Sequence, residues 1–197
     1  MIRIGILGDI GSGKSHISKI FGYPVFNADE EVAKLYKKNK KVYIKLNKTL
    51  PKFIHTFPIK KNEISRAILL NKSNLKKIIH IVHFEIRKKL KSFLIKNKNK
   101  KIIVLDIPLL LENKLNKKKD ILIFIEAKRL DILKKLKKRS NFNSKLFKKF
   151  KNIQLPLEYK KKKSHFIIKN NFTKKSVKRD INNILRKLKN ERNSIRH

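Results

Sequence analysis

The run Gly8-Asp9-Ile10-Gly11-Ser12-Gly13-Lys14-Ser15 has the spacing G-x-x-x-x-G-K-[ST], and its residue types suit the binding of a phosphate chain. Glycine lets the backbone turn where a Cβ would clash, so that successive N–H groups can converge on a phosphate at a helix N-terminus. Lys14 is then placed to reach the β- and γ-phosphates. The Ser15 hydroxyl is placed to ligate Mg²⁺, which bridges the same phosphates and neutralises their charge. Gly8, Gly11, Ser12, Gly13, Lys14, Ser15 and His16 are the expected nucleotide contacts. An ordinary tight turn is the alternative. Against it, all five glycines lie within the first 22 residues, a strand-like run Ile2–Leu7 precedes the motif, and His16–Phe21 reads as the start of a helix.

The chain has only 14 Asp and Glu residues, so the few near expected strand ends stand out. Asp29, in Val25-Phe26-Asn27-Ala28-Asp29, could accept a proton from an attacking hydroxyl, or serve as the N-cap of a helix beginning at Glu30. Asp106 closes the apolar run Ile102–Leu105, where it either holds Mg²⁺, directly or through water, or forms a strand-end turn before Pro108. Glu112, after Pro108-Leu109-Leu110-Leu111, either orients its loop or caps a helix. Arg139 offers a planar fork of donors to a transferring phosphoryl group, or is ordinary surface. His80 and His83 do not have metal-pair spacing, and a lone His on an apolar helix reads first as a core residue.

The elements that would position these groups alternate between strand and helix. Five apolar runs, Ile2–Leu7, Pro24–Asn27, Lys101–Ile107, Ile121–Glu126 and Phe166–Lys169, read as buried parallel strands with helices between them. The expected fold is an α/β open sheet of five parallel strands flanked by helices, with its site at the carboxyl ends of the strands. The interval from Asp29 to about Lys100 is far longer than an ordinary crossover. It carries apolar residues at helical spacing around Val32, Leu35 and Tyr36 and around Ile68, Leu69, Leu75, Ile78 and Ile79, with Pro51 and Pro58 at irregular joints. It is expected to form a helical insertion that binds substrate. A basic helical stretch over 129–163 is placed to act as a lid. Ser176–Leu188 is expected to pack on the core through Val177, Ile181, Ile184, Leu185 and Leu188. The resulting division is a nucleotide-binding core of 1–28, 101–128 and 164–190, a substrate domain of 29–100, a lid of 129–163 and a frayed tail of 191–197.

Composition narrows the class. At 197 residues the chain can build one domain with a sizeable core, with or without insertions. It contains no cysteine, which excludes disulfides and thiolate metal sites and suits a reducing cytoplasm. The first apolar stretch is too short for a signal peptide, and no apolar run approaches a membrane span. A soluble protein without a membrane partner is expected. The net charge of +40, from 54 Lys and Arg, would ordinarily point to nucleic acid. Here the lysines are scattered through every segment among Ile and Asn, as in a chain-wide compositional drift. Non-specific polyanion binding at low salt is expected, with no specific nucleic-acid partner, and the basic surface helps draw in polyphosphate substrates.

Taken together, these segments resemble the dephospho-coenzyme A kinase family, which catalyses the last step of coenzyme A synthesis. Gly8–Ser15 resembles the family's G-G-I-G-S-G-K-S, and Phe26-Asn27-Ala28-Asp29 its I-D-A-D. Ser65-Arg66-Ala67 resembles R-R-A, and Ile79-His80 its H-P. Ile107–Asn113 resembles V-P-L-L-x-E-N. Gln154 and Ile167–Asn171 resemble the lid Gln and the closing V-I-D-N. The resemblance implies a P-loop kinase fold and transfer of phosphate from ATP, with Mg²⁺, to the ribose 3′-hydroxyl of dephospho-coenzyme A. It implies Asp29 as base, Lys14 and Ser15 on phosphate and metal, Arg139 near ATP and Asn170 on the nucleotide side. Arg66, His80, Pro108, Leu109 and Glu112, with Asp29, become substrate contacts. A monomer or weak homo-oligomer in the cytoplasm is expected. The chain departs from the family pattern at Leu7 (usually Thr), Asp9 (Gly), His16 (Thr), Asn27 (Asp), Ile81 (Pro) and Ser140 (Asp). A carboxylate at Asp9 would weaken ATP binding unless it points away from the phosphates.

Overall fold

Strand β1 (Ile2–Gly8) is buried from Arg3 onward because it lies at the centre of a sheet, with neighbours on both edges and helices on its faces. The computed structural model describes residues 1–140 and 142–194. Its sheet comprises β1, β2 (Val25–Asn27), β3 (Ile102–Asp106), β4 (Ile121–Glu126) and β5 (Phe166–Lys169) in the order β2-β3-β1-β4-β5. It is a five-stranded parallel sheet flanked by helices, as the alternating pattern predicts. Ile2 and Gly5 of β1 pair with Ile102 and Leu105 of β3, while Ile4 and Gly8 pair with Ile121 and Ile125 of β4. All three strands therefore run toward the same end, where the glycine-rich loop leaves β1.

One compact unit comprises Met1–Phe26, Asn99–Phe142 and Leu155–His197. Within it, α1 (Lys14–Ile20) and α9 (Lys174–Ser194) join the sheet in one apolar core, in which Ile17, Val177, Ile181 and Leu188 meet Ile4, Ile6, Ile123 and Ile168. The helical spacing of those α9 residues is what gives the helix its apolar stripe. Helix α6 (Arg129–Lys137) buries only Ile132 and Leu136, and the short α8 (Leu157–Lys162) packs against β1. Two buried ion pairs also tie the unit together. The Arg3 guanidinium stands 3.0 Å from Asp120 Oδ1, and Lys160 Nζ stands 2.7 Å from Glu112 Oε1.

The second unit comprises Asn27–Lys98 and Asn143–Gln154. It contains α2 (Ala28–Lys38), α3 (Lys40–Thr49), α4 (Lys61–Leu70), α5 (Lys72–Lys96) and α7 (Ser144–Lys151). Helix α5 is the spine. Its buried Leu75, Ile78, Val82, Ile86 and Leu90 recur every three or four residues, and α2, α3 and α4 pack on it. Asparagines separate the helices because a short amide side chain can accept from the backbone N–H groups that a helix start leaves unpaired. Asn39 accepts from Val42 N at 3.0 Å and Asn71 from Ser73 N at 2.8 Å.

Several boundaries differ from the sequence reading. The first helix begins at Lys14 rather than His16, because the loop glycine itself is the N-cap. The α2 cap is Asn27, whose Oδ1 accepts from Glu30 N at 2.9 Å, so the helix starts at Ala28 and Asp29 lies in its first turn instead of capping it. The stretch 129–163 does not form one body: 143–154 groups with the helical unit, and its flanks with the sheet unit. Helix α9 runs on to Ser194. Of the tail read as frayed, 195–197 lie outside the described residues.

Glu63 is the polar centre of the helical unit. Burial pushes its carboxyl up, but backbone donors at His55, Thr56 and Lys60, together with the Thr56 hydroxyl, outweigh that and hold it below its ordinary value. A depressed carboxyl contributes stability that is fully present above its unfolded value and is lost as pH falls through the folded one. Glu63→Gln should cost about 1–3 kcal/mol at neutral pH and flatten the acid limb of the stability curve. Urea titrations of both proteins from neutral to acid pH check this.

Candidate active site

The loop between β1 and α1 is built by glycines in conformations that other residues avoid. Gly11 and Gly13 have φ of +85° and +94°. The turn is closed by Ser12 N donating to the Asp9 carbonyl at 3.1 Å. Gly13 caps α1 with no side-chain hydrogen bond, and the first helical turn holds no acidic residue, so no side chain competes for its leading N–H groups. Lys14 Nζ donates to the carbonyls of Gly8 at 3.2 Å and Asp9 at 2.7 Å, which folds the ammonium over the loop. Ser12 Oγ is buried and has no hydrogen-bond partner. Ser15 and His16 are exposed on the first turn.

The sheet unit also carries several of the other expected groups. Asp106 is the last residue of β3, one position beyond the Leu105–Gly5 pairing with β1, and is only 2% exposed. It belongs to the strand, so the turn reading gives way to a buried carboxylate at the carboxyl end of the sheet. Ser15 Oγ and Asp106 are hard oxygen donors that suit Mg²⁺. Among the described residues no cluster of three His, Asp or Glu forms a metal cage. Asn170, 6% exposed at the end of β5, donates from Nδ2 to the Ser12 carbonyl at 2.8 Å.

Pro108 and Leu109 lie half-buried in the turn after β3. Glu112 follows with no helix to cap. Its Oε1 accepts from Leu155 N at 2.9 Å and pairs with Lys160, so it orients its loop. Arg139 is exposed just past α6, held in a turn by Arg139 N donating to the Leu136 carbonyl.

Sequence comparison decides the family. A model of the family described as Dephospho-CoA kinase matches residues 2–176. The chain is 34% identical over 187 residues to the dephospho-CoA kinase of Wolbachia sp. subsp. Brugia malayi, covering 92% of this chain and 95% of the relative. It is 31% identical over 191 residues to that of Rickettsia bellii, covering 95% and 98%. The chain belongs to the dephospho-CoA kinase family. A crystal structure from Thermus thermophilus matches with a TM-score of 0.76 at 25% identity, over 95% of this chain and 97% of that one. The dephospho-CoA kinase from Campylobacter jejuni has the same fold, with a TM-score of 0.61 at 23% identity over 94% and 96%.

As a dephospho-CoA kinase family member the chain is a phosphotransferase of coenzyme A biosynthesis. Two of its departures from the family pattern have a local explanation. Asp9 is buried, and its Oδ1 turns back to accept from Ile10 N at 2.7 Å, so the carboxylate is spent on its own loop. Asn27 keeps the capping role that its position before α2 demands.

In the helical unit Asp29, Arg66 and His80 are all exposed. The core reading of His80 therefore fails: it lies on the polar side of α5. His83 is half-buried, and burial first, then the charges of Arg87 and His80, lowers its pKa. Lys160 was not legible as special within Lys160-Lys161-Lys162-Lys163. The only signal was its i+3 spacing from the half-buried Leu157.

A Cβ on Gly13 would lie 2.5 Å from Asn170 Nδ2, at a φ strained for any side chain. Gly13→Ala should weaken ATP binding at least about tenfold while leaving the protein folded, which calorimetric titration and a thermal melt check.

Proposed function

We propose that the loop, Lys14, Asp29 and Arg139 carry out phosphoryl transfer from ATP to the ribose 3′-hydroxyl of dephospho-coenzyme A. The observation that carries this reading is the glycine loop at the end of β1, with uncapped N–H groups and the Lys14 ammonium folded over it, in a chain matched to the family from residue 2 to 176. The loop N–H groups and Lys14 hold the β- and γ-phosphates by positioning and charge, which is most of what this chemistry requires. A divalent cation, taken to be Mg²⁺, would be held by Ser15 Oγ and Asp106, directly or through water, and supplies charge neutralisation on the phosphates.

The 3′-oxygen forms a bond to the γ-phosphorus as the bond from that phosphorus to the β,γ-bridging oxygen breaks. The hydroxyl proton passes to the Asp29 carboxylate, and ADP leaves with the bridging oxygen. Asp29 suits a base because it is exposed in the first turn of α2, where Asn27 has already taken the cap. Arg139 offers its fork of donors to charge on the transferring group. Arg66, His80, Pro108, Leu109 and Glu112 contact dephospho-coenzyme A. His16 lies beside the phosphates. The reaction is cytoplasmic, and the protein acts as a monomer or weak homo-oligomer.

ADP release with Mg²⁺-ATP should occur with dephospho-coenzyme A and not with a panel of nucleoside monophosphates and small hydroxylated metabolites. Turnover on another acceptor would overturn the substrate while keeping the loop chemistry. Asp29→Asn should lower kcat by about two to four orders of magnitude with ATP affinity intact, and Lys14→Ala should nearly abolish turnover. Arg139→Ala should lower kcat at least about tenfold and more than it weakens ATP binding. A pure binding defect would contradict its role.

A further inference from the structure

We propose that Asn170 is a positioning residue of the phosphate-binding loop: its carboxamide holds the Ser12 carbonyl and thereby turns the Gly13 N–H toward the phosphates. The inference rests on the nucleotide-binding reading above and adds to it a residue that acts through the loop.

Asn170 is anchored on three sides. Its backbone N donates to the Glu126 carbonyl at 2.7 Å, continuing the β4–β5 ladder by one residue. Its Oδ1 accepts from Phe172 N at 2.8 Å, which fixes the side-chain torsion and closes a turn with Phe172 at φ +61°, a rare conformation for an aromatic residue. That leaves Nδ2 aimed at the Ser12 carbonyl, 158 residues away in sequence, in a bond buried from water.

Planarity makes this bond consequential. In a trans peptide the C=O and the following N–H point in opposite directions. Fixing the Ser12 carbonyl toward Asn170 therefore fixes the Gly13 N–H in the opposite direction within the same peptide plane, away from Asn170. Gly13 is then needed twice, once for its φ of +94° and once because a Cβ would collide with the Asn170 amide. The position also requires a neutral donor. A carboxylate would set a negative charge against the Ser12 carbonyl and beside the bound phosphates, and a shorter side chain would leave that carbonyl buried and unpaired.

The test uses inorganic tripolyphosphate, a probe with no base or sugar, alongside ATP, titrated calorimetrically into the full chain. Asn170→Ser can keep the turn to Phe172 through its hydroxyl but cannot reach Ser12; Asn170→Ala is the second variant, should one of the two fold poorly. Both should bind tripolyphosphate and ATP more weakly by the same factor, about ten- to hundredfold, with the KM for dephospho-coenzyme A unchanged. Asn171→Ala is the stability control. Its Oδ1 accepts from Thr173 N at 3.1 Å and from Ser176 Oγ at 2.9 Å at the start of α9, so the change should lower Tm and leave tripolyphosphate affinity intact.

Weaker ATP binding with tripolyphosphate unaffected would overturn the proposal in favour of direct contact with the nucleoside. Unchanged affinity for both probes would overturn it outright, as would an equal loss in Asn171→Ala. If Lys14→Ala fails to weaken tripolyphosphate binding in the native background, the phosphate-loop reading itself fails, whatever the Asn170 variants do.

Discussion

Backbone N–H groups are obligatory hydrogen-bond donors, and leaving several of them together without an internal partner is costly unless a ligand or water meets them. In the sheet unit the N-terminus of α1 has Gly13 as its cap, with no side-chain hydrogen bond. β1 is buried between β3 and β4, so the point where the loop departs is rigid. Glycines adopt the positive φ that the turn needs. Lys14 and Asp9 bind back onto loop carbonyl and amide groups, so the loop is held by its own residues as well as by Asn170. Such order has an energetic rationale on the function proposed above: a pre-arranged loop does not have to spend binding energy on fixing its own backbone.

The second organising constraint is charge. A chain of net charge +40 repels itself, and its few carboxylates are correspondingly well used. Asp120 pairs with Arg3, and although burial raises its pKa, hydrogen bonding from Lys117 N and the guanidinium oppose that shift. Glu112 pairs with Lys160 and binds Leu155 N, which ties the turn after β3 to the chain entering α8. Lys160 is 1% exposed, in a run of lysines in which Lys162 and Lys163 are exposed. A buried ion pair of this kind contributes little net stability over an apolar pair, but breaking it leaves an uncompensated charge, so its value lies in specifying one arrangement.

The helical unit meets a different need with simpler means. Helices α3, α5 and α7 have no acidic residue in the first turn, and asparagine caps them at Asn39, Asn71 and Asn143, as Asn27 caps α2. The composition that looks like drift at the level of the whole chain is thus put to local structural use. With Asn27 as the cap of α2, Asp29 lies exposed in the first turn of that helix.

Much of this was legible in the sequence because it depends on local rules. Buried parallel strands read as apolar runs, and Ile121–Glu126 and Phe166–Lys169 were placed to the residue; the glycine spacing marked the loop, and the apolar period of Val177, Ile181, Ile184 and Leu188 marked α9. What the sequence could not decide were outcomes of competition between neighbours or between distant segments. Asn27 and Asp29 are both good caps, and it is Asn27 that caps α2. His80 and His83 look alike in the sequence, yet α5 is turned by its packing so that one is exposed and the other half-buried. Lys160 is one lysine among several until α8 packs against β1 and Glu112 comes within 2.7 Å. The bond from Asn170 to Ser12 joins residues 158 apart, and no local pattern encodes it. Sequence determined the periodicities and the loop chemistry, which act over a few residues. Tertiary structure decided burial, ion pairing and the orientation of single peptide groups, because those depend on atoms the chain brings together only on folding.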